Sequence, residues 1–175
     1  MVALPLGTLV AHRDHLRGPV LSALGIGRVV PSLAVLTLMI PFFGIGFRPA
    51  VVALALLAIP PIAINTDLGF RSVSRAALDA AQGLGMTQTQ IRNRVETPLA
   101  LPIIFAGLRT ASIEVIASAT LAAFIGGGGL GEYITSGLQN SDGKLLLLGG
   151  ASVAVLALLV ESILGLIARQ MGEFQ

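Results

Sequence analysis

Few side chains in this sequence have the chemistry of a catalytic or metal-binding residue, and their spacing does not group them. The chain of 175 residues has no cysteine, which excludes disulfides, thiolate nucleophiles and thiolate metal sites. Its two histidines, His12 and His15, have no third ligand nearby and are expected to face solvent. The sequence suggests no Ser-His-Asp set and no pair of catalytic carboxylates. We therefore predict neither a catalytic site nor a metal site.

Two acidic residues, Glu114 and Glu161, lie inside long apolar stretches. A charged side chain at the centre of a membrane helix costs about 2.5–3.5 kcal/mol on insertion scales, so it usually faces protein or water. Glu114 could line a solute pathway. For both residues the simpler alternative is a carboxylate at a dimer interface or in helix packing. Asn65 and Arg109 are expected to brace the two points where the polar segment, defined below, joins the membrane helices. For Asn65, a position in the solute pathway or at the dimer interface is the alternative.

A run of glycines at residues 126–131 formally contains the G-x-G-x-x-G pattern of dinucleotide sites. Such a site requires a preceding strand, but an apolar stretch of membrane-spanning length precedes the glycines here. The remaining alternatives are a flexible or closely packed connection and a moving external gate. We expect close packing with a hinge at Gly126, Gly127, Gly128, Gly129 and Gly131.

A second glycine-containing stretch, residues 137–144, has some likeness to a phosphate-binding loop. Its spacing is wrong, and Leu145 stands where a serine or threonine must hold magnesium. This stretch therefore gives the chain no ATP-hydrolysing site of its own.

The composition is that of a membrane protein. Hydrophobic residues make up 54% of the sequence and charged residues 11%, whereas a soluble domain has about 25% charged residues. Residues 1–11 are too short to span a bilayer, which takes about 20 residues, and are expected to be the tail of a first span whose beginning is absent. Residues 20–28 are expected at the interface. Within one membrane domain over residues 1–175, further spans are predicted at residues 31–43, 48–65, 99–124 and 145–168.

Basic residues divide the predicted loops into two groups. Arg13, Arg17, four arginines of residues 66–98 and Arg169 form one group, and only Arg48 and Lys144 form the other. Because cytoplasmic flanks of membrane helices collect Lys and Arg, we expect residues 66–98 and the C terminus in the cytoplasm. The formal net charge of +2 is too small to indicate nucleic-acid binding.

Residues 66–98, called the polar segment below, contain the start and stop signals of two short helices joined by a tight turn. Ser74 can cap the first helix, and Gly85 can end it in the left-handed conformation. Thr87 and Gln90 have the spacing of a capping box for the second helix. Pro98 is expected to end that helix, because proline disfavours helix in the residue before it.

Small side chains distinguish one face of the first short helix. Ala77, Ala80 and Ala81 would let another protein approach the backbone closely, and Arg92 and Arg94 would supply charge at the edge. We interpret the polar segment as a docking surface for a soluble partner. The alternative is an ordinary cytoplasmic loop that is rich in arginine only because of topology.

The order of residues in the polar segment is similar to a known pattern. Asp79, Ala80 and Ala81 are followed by Gly85 and then by Val95, Glu96, Thr97 and Pro98. This order resembles the coupling loop of binding-protein-dependent ABC importer permeases: E-A-A, a glycine four residues later, and then I-x-L-P. Asp for Glu and Val for Ile are mild departures, and Thr97 replaces the usual leucine.

Further stretches extend the resemblance over nearly the whole chain. Residues 30–46, 64–71, 98–111 and 119–134 are similar to the osmoprotectant branch, whose members import glycine betaine, choline or proline betaine. Methionine-importer permeases share the glycine-rich stretch and are an alternative. A membrane scaffold or channel without an ATPase is another.

The resemblance implies an all-α, type I ABC importer permease with a core of about five transmembrane helices. It also implies a pair of identical or paralogous permease chains, an ATP-binding subunit seated on each coupling loop, and an external solute-binding protein. ATP and magnesium would belong to the ATPase, and this chain would need no cofactor. Glu114 would then help a quaternary ammonium solute to pass. Because the sequence has no Trp and one Tyr, whereas aromatic cages usually bind such cations, selection is expected to belong to the binding protein.

Overall fold

The computed structural model describes residues 2–172, with side chains for residues 2–168. The side chain of Arg169, used above for orientation, lies outside this range. All regular structure in the described residues is helical, as the family resemblance implies. The helices are α1 (Ala3–Ala11), α2 (Asp14–Val29), α3 (Ser32–Leu38), α4 (Ile40–Phe43), α5 (Phe47–Ser72), α6 (Arg75–Gly83), α7 (Gln88–Ile91), α8 (Thr97–Ala122), α9 (Gly131–Gln139) and α10 (Gly143–Gly172), with a π-helical stretch at Arg92–Glu96 and a 3₁₀ turn at Ala123–Ile125.

Two long helices, α5 and α8, pack along each other at the centre of the molecule. Glycine makes the approach possible, because a Cβ at Gly107 of α8 would lie 2.5 Å from the Cβ of Asn65 on α5. A Cβ at Gly69 of α5 would lie 2.9 Å from the carbonyl oxygen of Ala100 on α8. Such small-residue contacts are typical of helix packing in membranes.

The short helix α1 packs on α5 in the same manner. A Cβ at Gly7 would lie 2.5 Å from the Cβ of Thr66, which is itself buried. Buried apolar residues form two clusters, one near each end of the α5–α8 pair. One contains Leu36, Ala50, Ala53, Ala122 and Ile125, and the other contains Phe70, Val73 and Ala100.

The segment before α5 differs from the prediction. Residues 20–28 were expected at the interface and residues 31–43 as a separate span, but α2 is one helix of 16 residues and the chain then bends by 96° into α3 and α4. The bend lies at Pro31, which follows a residue in extended backbone. This is where proline disfavours continuing the helix. Only the two arms together are long and apolar enough to be one broken span.

Three helices of the described residues are long and apolar enough to cross a membrane, namely Phe47–Ser72, Gln88–Ile125 and Gly143–Ala168. The bent pair raises the number to four. The remaining candidate for the five expected helices is α1, which has nine residues and is too short to span.

The second short helix of the polar segment does not end at Pro98 as predicted. α7, the π-helical stretch and α8 form one continuous helix that begins at Gln88, and α5 extends to Ser72, so the connection between these two long helices is residues 73–87. The N–H of Thr97 donates to the carbonyl of Arg92, five residues back. The wider π turn accommodates Pro98, whose missing N–H and bulky ring would disrupt a regular α-helix at this place.

Candidate coupling segment and membrane cleft

The two short helices of the polar segment are fixed by local hydrogen bonds that the sequence predicted. The Ser74 hydroxyl accepts from the N–H of Ala77, and Thr87 forms a complete capping box with Gln90. Gly85 has φ of +77°, and its N–H donates to the Gln82 carbonyl. The turn between the helices is therefore defined by backbone bonds, because the left-handed conformation at Gly85 is open to glycine at little cost.

The small-residue face of α6 is only partly the one expected. Ala81 is 5% exposed and packs inside this chain, whereas Ala80 is exposed and Ala77 is half-buried. The small residues that point outward are Ala76, Ala80 and Gly83. Asp79, Arg92 and Arg94 are also exposed, and Val95 is half-buried. A partner could thus approach the backbone at Ala80, but not at Ala81.

A contact between α1 and the π-helical stretch holds the base of the polar segment. His12 Nε2 lies 3.2 Å from Glu96 Oε2, and the His12 ring meets the edge of Phe70 at 5.3 Å between centroids. His12 Nδ1 lies 2.8 Å from the Thr8 carbonyl oxygen. His12 is exposed, as expected, but its contact with Glu96, 84 residues later in the sequence, was not predicted. His15 is exposed, as expected.

An ion-pair network joins α2 to the end of α5. The Asp67 carboxylate is buried and accepts hydrogen bonds from Arg17 Nε at 3.2 Å and Arg71 Nε at 3.2 Å. Arg71 also pairs with Asp14. Our sequence reasoning missed this network and treated Arg17 and Arg71 only as signs of topology. The spacing of Asp67 and Arg71, four residues apart in a helix, was the signal that could have revealed it.

Arg109 on α8 pairs with Glu161 on α10. Its Nε donates to Glu161 Oε1 at 2.6 Å, and an Nη atom contacts the same oxygen. Arg109 therefore ties two membrane helices together, and the expectation that it braces the polar segment was wrong. Glu161 therefore takes part in helix packing, which was the simpler of the two roles considered for it. Its second oxygen is buried and has no hydrogen-bond partner among the described residues.

Asn65 lies where α5 crosses α8. Its side-chain amide donates to the Pro61 carbonyl at 2.8 Å, and its Cβ faces Gly107. This position supports bracing of the helix pair.

The glycine run combines close packing with left-handed backbone. Gly126, Gly128 and Gly129 have φ between +73° and +87°, a region that other residues seldom adopt. Side chains at Gly127 and Gly131 would collide with Ala122 and with the Thr120 carbonyl, respectively. Gly127, Gly128, Gly129 and Gly131 border an apolar cavity of about 270 Å³ between α5, α8 and α10.

A second cleft lies in the angle between α2 and α3. It has a volume of about 550 Å³, and α5 and α8 form its other walls. Glu114 and Arg28 both line it, and neither has an ion-pair or hydrogen-bond partner among the described residues. Glu114 is half-buried and Arg28 is exposed. Arg28 was not singled out from the sequence, because its nearness to Glu114 depends on the bend at Pro31.

The family model described as "Binding-protein-dependent transport system inner membrane component" matches residues 3–173. The chain belongs to this family. It is a transmembrane permease subunit of an ABC importer and not an enzyme, and the ATPase is a separate subunit.

Two bacterial relatives are similar over nearly the whole chain. The choline transport system permease protein OpuBB of Bacillus subtilis (strain 168) is 40% identical over 98% of this chain and 79% of the relative. The glycine betaine/carnitine/choline transport system permease protein OpuCB of the same organism is 41% identical over 97% of this chain and 78% of the relative.

A solved structure confirms the type I permease fold. A chain of the inward-facing MetNI methionine ABC transporter (CY5 native crystal form) superposes with a TM-score of 0.84, covering 97% of this chain and 86% of that one. Its sequence identity of 24% supports the fold alone.

Proposed function

We propose that this permease forms the translocation pathway for a small quaternary ammonium osmoprotectant such as glycine betaine, choline or proline betaine. The observation that carries the proposal is the 40–41% identity to permeases for choline and for glycine betaine, carnitine and choline. A methionine-type solute is less supported, because the methionine transporter shares only the fold at 24% identity.

The polar segment is the coupling loop that contacts the ATP-binding subunit. Its outward face presents Ala76, Ala80 and Gly83 beside Asp79, so a partner can approach the backbone. Its helices are capped and its second helix continues into α8, so that a displacement at this surface moves a membrane helix as one body. ATP binding shifts the equilibrium between inward and outward states through contacts that differ between them, and the coupling loop supplies those contacts.

The importer is a pair of permease chains, identical or paralogous, served by an external solute-binding protein and lying in the cell membrane. No residue in the most apolar stretch of α10 is fully buried by the rest of the described chain, so its outer face is available to lipid or to the second permease. The polar segment and the C terminus face the cytoplasm, where arginines collect.

The glycine run is a gate element at the opposite end of the pathway, because Gly126, Gly128 and Gly129 allow backbone rearrangement next to the packed contacts of Gly127 and Gly131.

Co-purification with the ATPase subunit in detergent tests the coupling surface. Ala80→Arg places a long charged side chain on the exposed small face, and we expect at least a tenfold loss of bound ATPase. Gln82→Arg is the matched control, because Gln82 is exposed on the opposite flank of the same helix. Ala81→Arg is unsuitable, since Ala81 is buried and the change would disrupt the helix pair itself.

Uptake of radiolabelled glycine betaine and choline by cells that express the whole importer tests the solute. Equal retention of ATPase by both arginine variants, together with no nucleotide-dependent uptake, would favour the membrane scaffold without an ATPase. Loss of ATPase by Ala80→Arg alone, together with uptake by the unmodified chain, supports the proposed function.

A further inference from the structure

The cleft between α2, α3, α5 and α8 contains two opposite charges that the fold leaves unpaired. Arg28 is near the end of α2, and Glu114 is on α8. The cleft of about 550 Å³ is within the range of about 300–1,000 Å³ that small-molecule sites occupy. The two side chains line one space without forming an ion pair.

The absence of a partner separates Glu114 on α8 from the acidic residues of α5 and α10, Asp67 and Glu161, which are both paired. Glu161 is paired with Arg109, as an intramembrane carboxylate ordinarily is. Glu114 and Arg28 have neither each other nor any other ion-pair or hydrogen-bond partner in the part of the chain that the structure describes. A carboxylate and a guanidinium kept apart across a cleft can each bind one end of a dipolar molecule.

The walls of the cleft suit a small solute that carries methyl groups. Leu56, Leu57, Val35 and Ala117 give it apolar surface, and Ser32 and Ser118 also line it. No Phe, Tyr or Trp is among its lining residues, so the aromatic cage that usually binds trimethylammonium groups is missing here. A carboxylate is then the group that can attract such a cation, and a guanidinium is the side chain best suited to a carboxylate.

We propose that this cleft is a transit site for zwitterionic solutes, in which Glu114 faces the quaternary ammonium and Arg28 binds the carboxylate. The inference rests on the proposed function, because it assigns the solute a place in this chain. Choline has the cation but no carboxylate, so it engages Glu114 alone. Glycine betaine therefore contacts both Arg28 and Glu114, whereas choline contacts only Glu114. This difference distinguishes the two kinds of solute within one pathway.

Transport rates of the whole importer in cells test the assignment, with glycine betaine and choline each at saturating concentration. Rates are normalised to the amount of permease–ATPase complex recovered from the same membranes. We expect Arg28→Gln to lower glycine betaine transport about tenfold and choline transport less than twofold. Arg28→Lys keeps the charge and should restore part of the glycine betaine rate. Glu114→Gln should lower both rates about tenfold.

The ratio of the two rates is the decisive quantity, because a loss of folded protein lowers both equally. Arg48→Gln is the matched control, since Arg48 is exposed and is not among the residues that line the cleft. An unchanged ratio in Arg28→Gln overturns the carboxylate assignment, and unchanged rates in Glu114→Gln overturn the ammonium assignment. If the unmodified importer moves neither solute while the complex still assembles, the proposed function itself fails and this inference fails with it.

Discussion

Single residues decide how closely the central helices approach. Gly107 has no side chain, and the space that a Cβ would need is occupied by Asn65 and by the Pro61 carbonyl. The same arrangement recurs where Gly7 meets Thr66. A membrane interior gives apolar side chains little reason to associate with each other, so close backbone contact carries much of the packing energy. A methyl group at such a contact must push the two helices apart.

We therefore expect Gly107→Ala to destabilise the folded chain by about 1–3 kcal/mol, the usual cost of overpacking. Gly150→Ala is the matched control, because a Cβ at Gly150 on α10 has no neighbour within 4 Å. The midpoint of heat-induced aggregation in detergent measures both variants. The midpoint should fall for Gly107→Ala and stay or rise slightly for Gly150→Ala. Equal midpoints would mean that α5 and α8 are not in direct contact at this place.

At the scale of elements, the polar segment depends on its caps. The Thr87 hydroxyl accepts from the N–H of Gln90, and the Gln90 side chain accepts from the N–H of Thr87 at 2.8 Å. A helix as short as α7, with four residues before the π-helical stretch, has few other bonds to hold its first turn. The capping box therefore fixes the start of the helix that enters the membrane.

Thr87→Ala should weaken this start by about 1 kcal/mol, and amide hydrogen exchange of residues 88–91 should accelerate about fivefold. Thr89→Ala, two residues later, removes an exposed hydroxyl that takes no part in the cap and should leave the exchange unchanged. A similar acceleration of exchange in both variants would show that the loss of any threonine, rather than the loss of the cap, weakens the first turn of α7.

These caps could be predicted because they depend on residues three or four positions apart. Ser74, Gly85 and Thr87 act within one turn, and each behaves as the sequence indicates. Pro98 was misjudged, because its local rule holds for an α-helix and the chain forms a π-helical turn there.

Contacts between distant elements could not be read from spacing. Which alanine of α6 faces inward depends on how that helix packs, and Ala81 is buried there. The pairs Arg17–Asp67 and Arg109–Glu161 join different helices, and the cleft at Glu114 exists only because α2 bends into α3. The family resemblance predicted the helical architecture. The pairing of charged residues between its helices could be seen only in the structure.

For the whole molecule, the distribution of basic residues predicts the orientation in the membrane. The absence of cysteine makes this directly measurable, because an introduced cysteine is the only thiol of the chain. Gln82 in the polar segment and Gln139 at the end of α9 are both exposed glutamines on opposite expected sides. They form a matched pair for labelling.

In intact cells, a membrane-impermeant maleimide should label Gln139→Cys nearly completely and Gln82→Cys only at background level. After the membrane is permeabilised, both should react. Reversed labelling would invert the proposed orientation. Labelling of both from outside would contradict the single passage of α8 between the polar segment and α9.

The continuous helix from Gln88 to Ile125 has a mechanical consequence. Its 38 residues, at about 1.5 Å per residue, measure about 57 Å, so a tilt of about five degrees around one end displaces the other by about 5 Å. One end belongs to the polar segment, and the other adjoins Gly126 and the glycine run. Under the proposed function this helix is a lever arm: a small push on the polar segment becomes, at the other end of the helix, a movement as wide as a solute molecule.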